Sequence, residues 1–444
     1  MRIEDFKSYA KELLNIALPI IMGNLGFILI GAGDVFIAGR HSTQTLAAIS
    51  IATAIINCIF IIGMGLIGSI SPVLSNYRGE RKSAKRYFYP TIRFSMTIAV
   101  ITTLLTFAAI PLIDYLKFEP ELTPLIKDYI FITAFSTFGA MLHMALKEFL
   151  QAFEIVFFPN LVTVFSVFLN VLLNIIFVFG AGFIPSMGVK GLAIASLITR
   201  YFMGFALLAF CYSMMSFRNY KDSGYYKTLI KVGLPMSFAV LVEFVAFNSV
   251  AIIMGKVAGI YAAAQNLVCT LTTVSFMVPF AISNAIAVKV GFANGSENFT
   301  DLKRYAAAGT IMGVGFMMLS AMVFVNCPHF LVGIFTKDLE LIKICVPVIY
   351  ILALFQVFDG IQVSLAGIFK GIKRTEVVLI ANLIGYWFIS IPLGYYLAII
   401  KGKNIVGFWI GLVSAAVVLC SIMGVLLVVN LKNIKKNFCN ISKK

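Results

Sequence analysis

The chain has 444 residues, of which 60% are hydrophobic and 12% are charged, and its mean hydropathy is +0.97. Because globular domains carry about 25% charged residues, this composition excludes an ordinary soluble protein and indicates one that crosses a membrane many times. The seven cysteines form no CxxC pair and no Cys/His cluster, which argues against both a disulfide framework and a cysteine metal site.

In chain order the sequence predicts twelve apolar spans, each long enough at about 1.5 Å per residue to cross a bilayer. The connections are short, so no soluble domain is inserted between them. The predicted spans are 14–38, 45–75, 91–116, 124–151, 160–181, 189–216, 230–255, 258–290, 305–327, 342–369, 376–400 and 405–431.

The basic residues predict the orientation of these spans. With both termini in the cytoplasm, 25 of the 35 Lys and Arg residues lie at the cytoplasmic side and nine at the outer side. Since cytoplasmic loops carry the excess of Lys and Arg, we expect both termini to be inside. The same distribution explains the net charge of +16 without nucleic acid as a partner, because the basic residues lie at one membrane face.

An internal repeat relates the two halves of the chain. A shift of 216 residues places Gly79 on Gly295, and the same offset aligns further Gly, Pro and Ala positions without gaps. The sequence therefore predicts an all-α polytopic membrane protein whose twelve transmembrane helices form two six-helix lobes, 1–216 and 232–444, joined by a cytoplasmic linker at 217–231. Because six is even, we expect a pseudo-two-fold axis along the membrane normal, which is typical of secondary transporters.

Two acids lie near the middle of spans in the second half. Glu243 is the eleventh residue of the apolar stretch 233–255, and Asp359 lies near the middle of the tenth span. Two carboxylates at one depth suit a hard monovalent cation such as Na+, or a shared proton. Gln356, three residues before Asp359, is a further candidate ligand, and Phe355 a candidate ring wall for the site, although ordinary packing explains both equally well.

A second polar cluster is predicted in the first half. Asp34 lies within the first span, Asn170 and Asn174 are spaced i,i+4 on the fifth span, and Ser196 on the sixth span is a candidate to join them. An acid inside a membrane span indicates a functional site, and we expect this cluster to bind a cation or a proton.

Other features limit the class of function. His143 on the fourth span is expected to be a hydrogen-bonded core residue, and Arg200 on the sixth a partner for a carbonyl or an acid inside its lobe. The chain has no P-loop, HExxH or GxSxG motif. We therefore expect neither enzymatic activity nor a cofactor, and an ion gradient as the source of energy.

Several stretches resemble the multidrug and toxic compound extrusion (MATE) family. They include ALPIIMGNLGFILIGAGDVFIAGR in the first span, GLPMSFAVLVEFVAFNSVAIIMG in the seventh and YILALFQVFDGIQVSLAGIFKGIKRT in the tenth. The resemblance runs essentially from end to end. The glutamate of the seventh span together with the aspartate of the tenth is similar to the NorM-like branch of that family.

The resemblance implies efflux of mostly cationic, amphipathic compounds by antiport with Na+ or H+. It implies that Glu243 and Asp359 carry a cation site in the C-terminal lobe. It also implies that Asp34, with Asn170 and Asn174, forms a site controlled by protonation or Na+. Two positions depart from the family pattern: Phe355 stands where a tyrosine is frequent, and Asn174 where other members can have aspartate.

The first hypothesis is thus a multi-pass antiporter of the bacterial cytoplasmic membrane, monomeric and surrounded by lipid, that exports organic cations. The alternative is a flippase for a lipid-linked precursor, as found in the same superfamily. A flippase would favour a strongly cationic central cavity, whereas the charges inside these spans are mostly acidic. A passive channel is disfavoured by the duplicated lobes and their lobe-specific acids.

Overall fold

The twelve predicted spans are helices in a computed structural model, which describes residues 3–182, 184–214 and 222–441. Within these ranges the protein is helical, and twelve helices are long and apolar enough to cross a membrane, which confirms the predicted fold class. Numbered α1 to α12 in chain order, they are Glu4–His41, Thr43–Gly79, Ala84–Tyr115, Leu122–Ala152, Phe157–Phe179, Val189–Met214, Ser223–Val257, Gly259–Gly295, Phe299–Asn326, Leu339–Gly371, Glu376–Ile400 and Asn404–Cys439.

Polar caps explain where several helices begin. The Ser42 hydroxyl accepts a hydrogen bond from the Thr45 amide at 3.0 Å and starts α2. Asn298 accepts from the Asp301 amide at 3.1 Å and starts α9. Each cap satisfies a backbone N–H that the first helical turn leaves without a partner.

The described residues form two compact units. The N-terminal unit comprises residues 18–74 and 83–237, and the C-terminal unit comprises the residues up to Ala17, 75–82 and those from Phe238 onward. The helices α1 and α7 therefore contribute to both units. The predicted division into lobes at 216 and 232 stays a prediction, and residues 217–221 of the predicted linker lie outside the described residues.

Within each unit the helices pack in the same pairwise scheme. In the N-terminal unit α4 packs against α2, α3 and α6, and α5 packs against α6. In the C-terminal unit α10 packs against α8, α9 and α12, and α11 packs against α12. Adding six to each helix number of the first scheme yields the second, which is the packing expected from the internal repeat.

The repeat glycines Gly79 and Gly295 lie at a close backbone contact inside the C-terminal unit. A Cβ atom on Gly79 would overlap the Phe292 carbonyl, and one on Gly295 would overlap the Asn76 carbonyl. The Asn76 side chain bonds across the same contact, because its Nδ2 donates to the Gly371 carbonyl at 2.9 Å and its Oδ1 accepts from Asn294 at 2.7 Å. Only glycine allows these backbones to approach so closely.

The helix α11 departs from regular α geometry. It contains two π-helical segments, Leu383–Ser390 and Tyr396–Ile400. A π segment rotates the side chains that follow it relative to a regular helix, and such segments are frequent at functional sites. The first segment carries Tyr386, which is fully buried.

Candidate functional site

The two acids of the C-terminal unit come close together although they belong to different helices. Glu243 on α7 is half-buried, and Asp359 on α10 is 2% exposed. The two carboxylates lie within electrostatic reach of each other. Among the described residues no Lys, Arg or His forms an ion pair with either of them, so the pair has no cation of its own.

Two donors on α11 face Glu243. The Tyr386 hydroxyl donates to Glu243 Oε1 at 3.1 Å, and Asn382 Nδ2 approaches Glu243 Oε2 at 3.4 Å. Asn382 Nδ2 also donates to the Ala239 carbonyl, one turn before Glu243, at 3.2 Å. Asn382 and Tyr386 are spaced i,i+4, so one face of α11 presents both groups to the carboxylate.

Gln362 on α10 extends this network. Its Nε2 donates to the Tyr386 oxygen at 3.2 Å and approaches Asn382 Oδ1 at 3.5 Å. Gln362 is 3% exposed and lies one turn after Asp359. The network therefore surrounds the acid pair with carboxylate, amide and phenol oxygens, the donor set that Na+ and other hard cations prefer.

The predicted ligand Gln356 bonds elsewhere through one of its two polar atoms. Its Nε2 donates to the Ser275 hydroxyl on α8 at 3.1 Å, and its Oε1 is buried without a hydrogen-bond partner among the described residues. Its role as an ion ligand stays a prediction. An amide oxygen in this position is available to accept a bond from a ligand or a water.

Phe355 is part of an aromatic cluster beside the acids. Its ring centroid lies 5.7 Å from that of Trp409 and 6.2 Å from that of Phe247. Phe247 also packs against Tyr386 at 5.9 Å, and Trp409 Nε1 donates to Gln265 Oε1 at 3.0 Å. The cluster joins α7, α10, α11 and α12 next to the carboxylates and supplies the ring wall that the sequence predicts.

The predicted cluster of the N-terminal unit is assembled around Asp34. Asn174 Nδ2 donates to Asp34 Oδ1 at 2.6 Å and approaches Asn170 Oδ1 at 3.1 Å. The Ser196 hydroxyl donates to Asp34 Oδ2 at 3.1 Å. The structure thus brings the four residues together from α1, α5 and α6. Asn170 and Asn174 are fully buried, and the Oδ1 atom of Asn174 has no hydrogen-bond partner among the described residues.

The remaining polar residues of the N-terminal unit lie near this cluster or apart from it. Arg200 on α6 is within electrostatic reach of Asp34, in line with the expectation of an acid as its partner. His143 is 2% exposed, and its Nε2 lies 3.4 Å from the Thr163 hydroxyl. That contact agrees with the expectation of a hydrogen-bonded core residue.

The sequence reasoning missed Asn382 and Gln362 as site residues and noted Tyr386 only as the repeat counterpart of Asn170. The repeat carries the signal that could have found one of them. The shift of 216 residues that relates Asn170 to Tyr386 also relates Ser166 to Asn382. One face of the fifth and eleventh helices therefore holds polar residues at equivalent positions in both halves.

Comparison with known proteins agrees with this arrangement. The MatE family model matches residues 19–176 and 235–396, which together make up more than half of the chain. The chain belongs to the MatE family. The two matched segments of this MatE protein contain both acids of the C-terminal unit and the Asp34–Asn174 pair.

Curated relatives and solved structures give the same result. The protein is 29% identical to a protein of Mesorhizobium japonicum named "Probable multidrug resistance protein NorM", over 93% of this chain and 92% of the relative. It is 28% identical to a protein of the same name from Rhizobium meliloti, over 94% and 93% of the two chains. A crystal structure of a MATE protein in the bent conformation superposes with a TM-score of 0.89 at 19% identity, over 99% of this chain and 100% of that chain.

Proposed function

We propose that this protein is a secondary active antiporter that exports organic, mostly cationic and amphipathic compounds in exchange for Na+ or H+. Its place is the cytoplasmic membrane of a bacterium, with both termini inside and a single chain as the working unit. The names of the curated relatives support multidrug export, and they do not favour the flippase alternative. The excess of basic residues in alternate loops supports the orientation.

The observation that carries the proposal is the charge of the C-terminal cluster. Glu243 and Asp359 are two acids at one place inside the spans, with no basic partner among the described residues. A buried carboxylate pair is costly unless a cation or a proton neutralises it. The site therefore loads a cation, which we assign as the coupling ion.

Competition for this negative charge couples the two transport steps. A cationic compound and the coupling ion both gain free energy from the same carboxylates, so the binding of one weakens the binding of the other. Outside the cell the abundant ion loads the acids and displaces the compound. The ion-loaded protein returns inward, releases the ion and binds the next compound.

The magnitude of the ion's interaction sets the size of the expected mutant effect. A monovalent ion about 4 Å from a carboxylate gains about 4 kcal/mol at an effective dielectric constant of about 20. Asp359→Asn retains the size of the side chain and removes that term. At about 1.4 kcal/mol per factor of ten, ion binding should weaken roughly 1000-fold.

The test is ethidium efflux from vesicles that carry the purified protein, with Na+ and proton gradients imposed separately. We expect one gradient to drive efflux and both Glu243→Gln and Asp359→Asn to abolish it. Asp338→Asn is the matched control, because Asp338 makes the same chemical change at the exposed N-cap of α10. Normal gradient-driven efflux by both site variants would refute the assignment of the ion to this cluster.

A further inference from the structure

The N-terminal unit contains an arginine whose position is fixed by three helices. Arg200 Nη1 donates to the Ser136 hydroxyl on α4 at 2.7 Å. The guanidinium carbon lies 5.3 Å from the centroid of the Phe60 ring on α2. A guanidinium over an aromatic face, with a hydroxyl acceptor beside it, has little freedom to leave this position.

Close packing of α4 and α6 fixes the main chain of the same residue. A Cβ atom on Gly139 would lie 2.8 Å from the Arg200 carbonyl carbon and 2.7 Å from the Tyr201 nitrogen. The two helices therefore touch at Gly139. The guanidinium group is held at both ends, by its backbone contact with α4 and by its bond to Ser136.

The fixed guanidinium faces the Asp34 cluster. Ser196, which donates to Asp34 Oδ2, lies one helical turn before Arg200 on the same face of α6. The two charged groups interact electrostatically, although within the described ranges no ion pair of 4.0 Å or less joins them. The other titratable group that faces them is the neutral phenol of Tyr129 on α4.

The C-terminal unit has no such cation. The repeat places Arg200 on Ala416, a fully buried residue of α12. The acids of that unit face phenol and amide groups instead. The two clusters thus differ in charge: two acids without a cation in one unit, and one acid with a fixed cation in the other.

We propose that Arg200 is the internal counter-cation of the Asp34 cluster, a positioning residue that keeps Asp34 ionised when no external cation is bound and so sets the pH at which this cluster loads a proton. The guanidinium replaces part of the solvation that a carboxylate loses inside a membrane protein. It also repels a second cation, so that a proton or ion enters this cluster only at higher concentration than it would without Arg200.

The direct test follows the Asp34 carboxyl group in the purified full chain by infrared difference spectroscopy. The C=O band of the protonated acid is recorded against pH and assigned by its loss in Asp34→Asn. In Arg200→Gln we expect half-protonation at roughly tenfold lower proton concentration, because a positive charge has been removed near the acid. This readout needs no transport; only the accompanying efflux profile against pH rests on the proposed function.

Arg200→Lys separates charge from shape. It retains the charge and loses the planar fork, so its midpoint should lie within about threefold of the wild type in proton concentration. A midpoint of Arg200→Gln equal to the wild type would overturn the proposal. So would equal midpoints for the Lys and Gln variants when both are shifted, since the effect would then be one of shape.

Two further measurements keep the proposal testable. In the Asp34→Asn background, Arg200→Gln should no longer change the pH profile of efflux, and a persisting shift would contradict action through Asp34. If size-exclusion chromatography shows that Arg200→Gln does not fold, Ser136→Ala takes its place. Releasing the guanidinium should move the midpoint in the same direction by about threefold, and an unchanged midpoint would overturn the proposal.

Discussion

Replacing Tyr386 with phenylalanine tests the geometry of the C-terminal cluster, because it removes one oxygen and leaves the ring. The Tyr386 hydroxyl is 3.1 Å from Glu243 Oε1 and 3.2 Å from Gln362 Nε2. The ring itself packs against Phe247 at 5.9 Å and should stay in place. The substitution therefore deletes a hydrogen bond to the ionised carboxylate with little change in packing.

The magnitude follows from the type of bond. A hydrogen bond to a charged group contributes about 1.5–3 kcal/mol. The bond stabilises the ion-free, ionised state of Glu243, so its loss should make that state less stable and cation loading more favourable. The half-saturating cation concentration in Tyr386→Phe should fall roughly tenfold to 100-fold, at about 1.4 kcal/mol per factor of ten.

The assay is a tryptophan fluorescence titration with Na+ at fixed pH, and with pH at fixed Na+. Both tryptophans of the chain, Trp387 and Trp409, belong to the C-terminal unit, and the Trp409 ring centroid lies 5.7 Å from that of Phe355 in the site. Performing the titration in a Trp387→Phe background isolates the signal of Trp409. Tyr395→Phe is the matched control, because it removes the same oxygen from an exposed position of α11.

Two results would refute this reasoning about Tyr386. An unchanged half-saturating concentration would mean that the hydroxyl does not stabilise the ionised Glu243. A higher half-saturating concentration would mean that the phenol oxygen is a ligand to the bound ion rather than a donor to the empty site.

The remaining predictions concern the backbone contact of the C-terminal unit and the cluster of the N-terminal unit. Gly295→Ala should cost about 1–3 kcal/mol, because the new methyl overlaps the Asn76 carbonyl, and should lower the melting temperature of the purified protein by a few degrees. Gly315→Ala, where a Cβ meets open space, should leave that temperature unchanged or raise it, and equal losses in both variants would contradict the contact. Asn174→Leu removes the 2.6 Å bond to Asp34, so the carboxyl band of Asp34 should persist to roughly tenfold lower proton concentration in infrared titrations; an unmoved band would contradict the bond.

Much of the candidate site follows from the sequence because intramembrane acids are rare and their depth can be counted along a helix. Glu243 and Asp359 are found this way, and the i,i+4 spacing of Asn170 and Asn174 predicts their shared face. Gln356 shows the limit of such reasoning. Spacing alone predicts both of its polar atoms at the acid, whereas in the structure its amide nitrogen donates to Ser275 on α8.

By itself the sequence determined the fold class, the twelve spans and the internal repeat, because span length and hydropathy are properties of one helix at a time. The partners of the acids were decided only by the tertiary structure. Tyr386 and Asn382 reach Glu243 because α11, with its π segment at Leu383–Ser390, presents that face to α7. The rotation of one helix against another depends on the packing of all its neighbours, and a single helix's sequence does not contain that information.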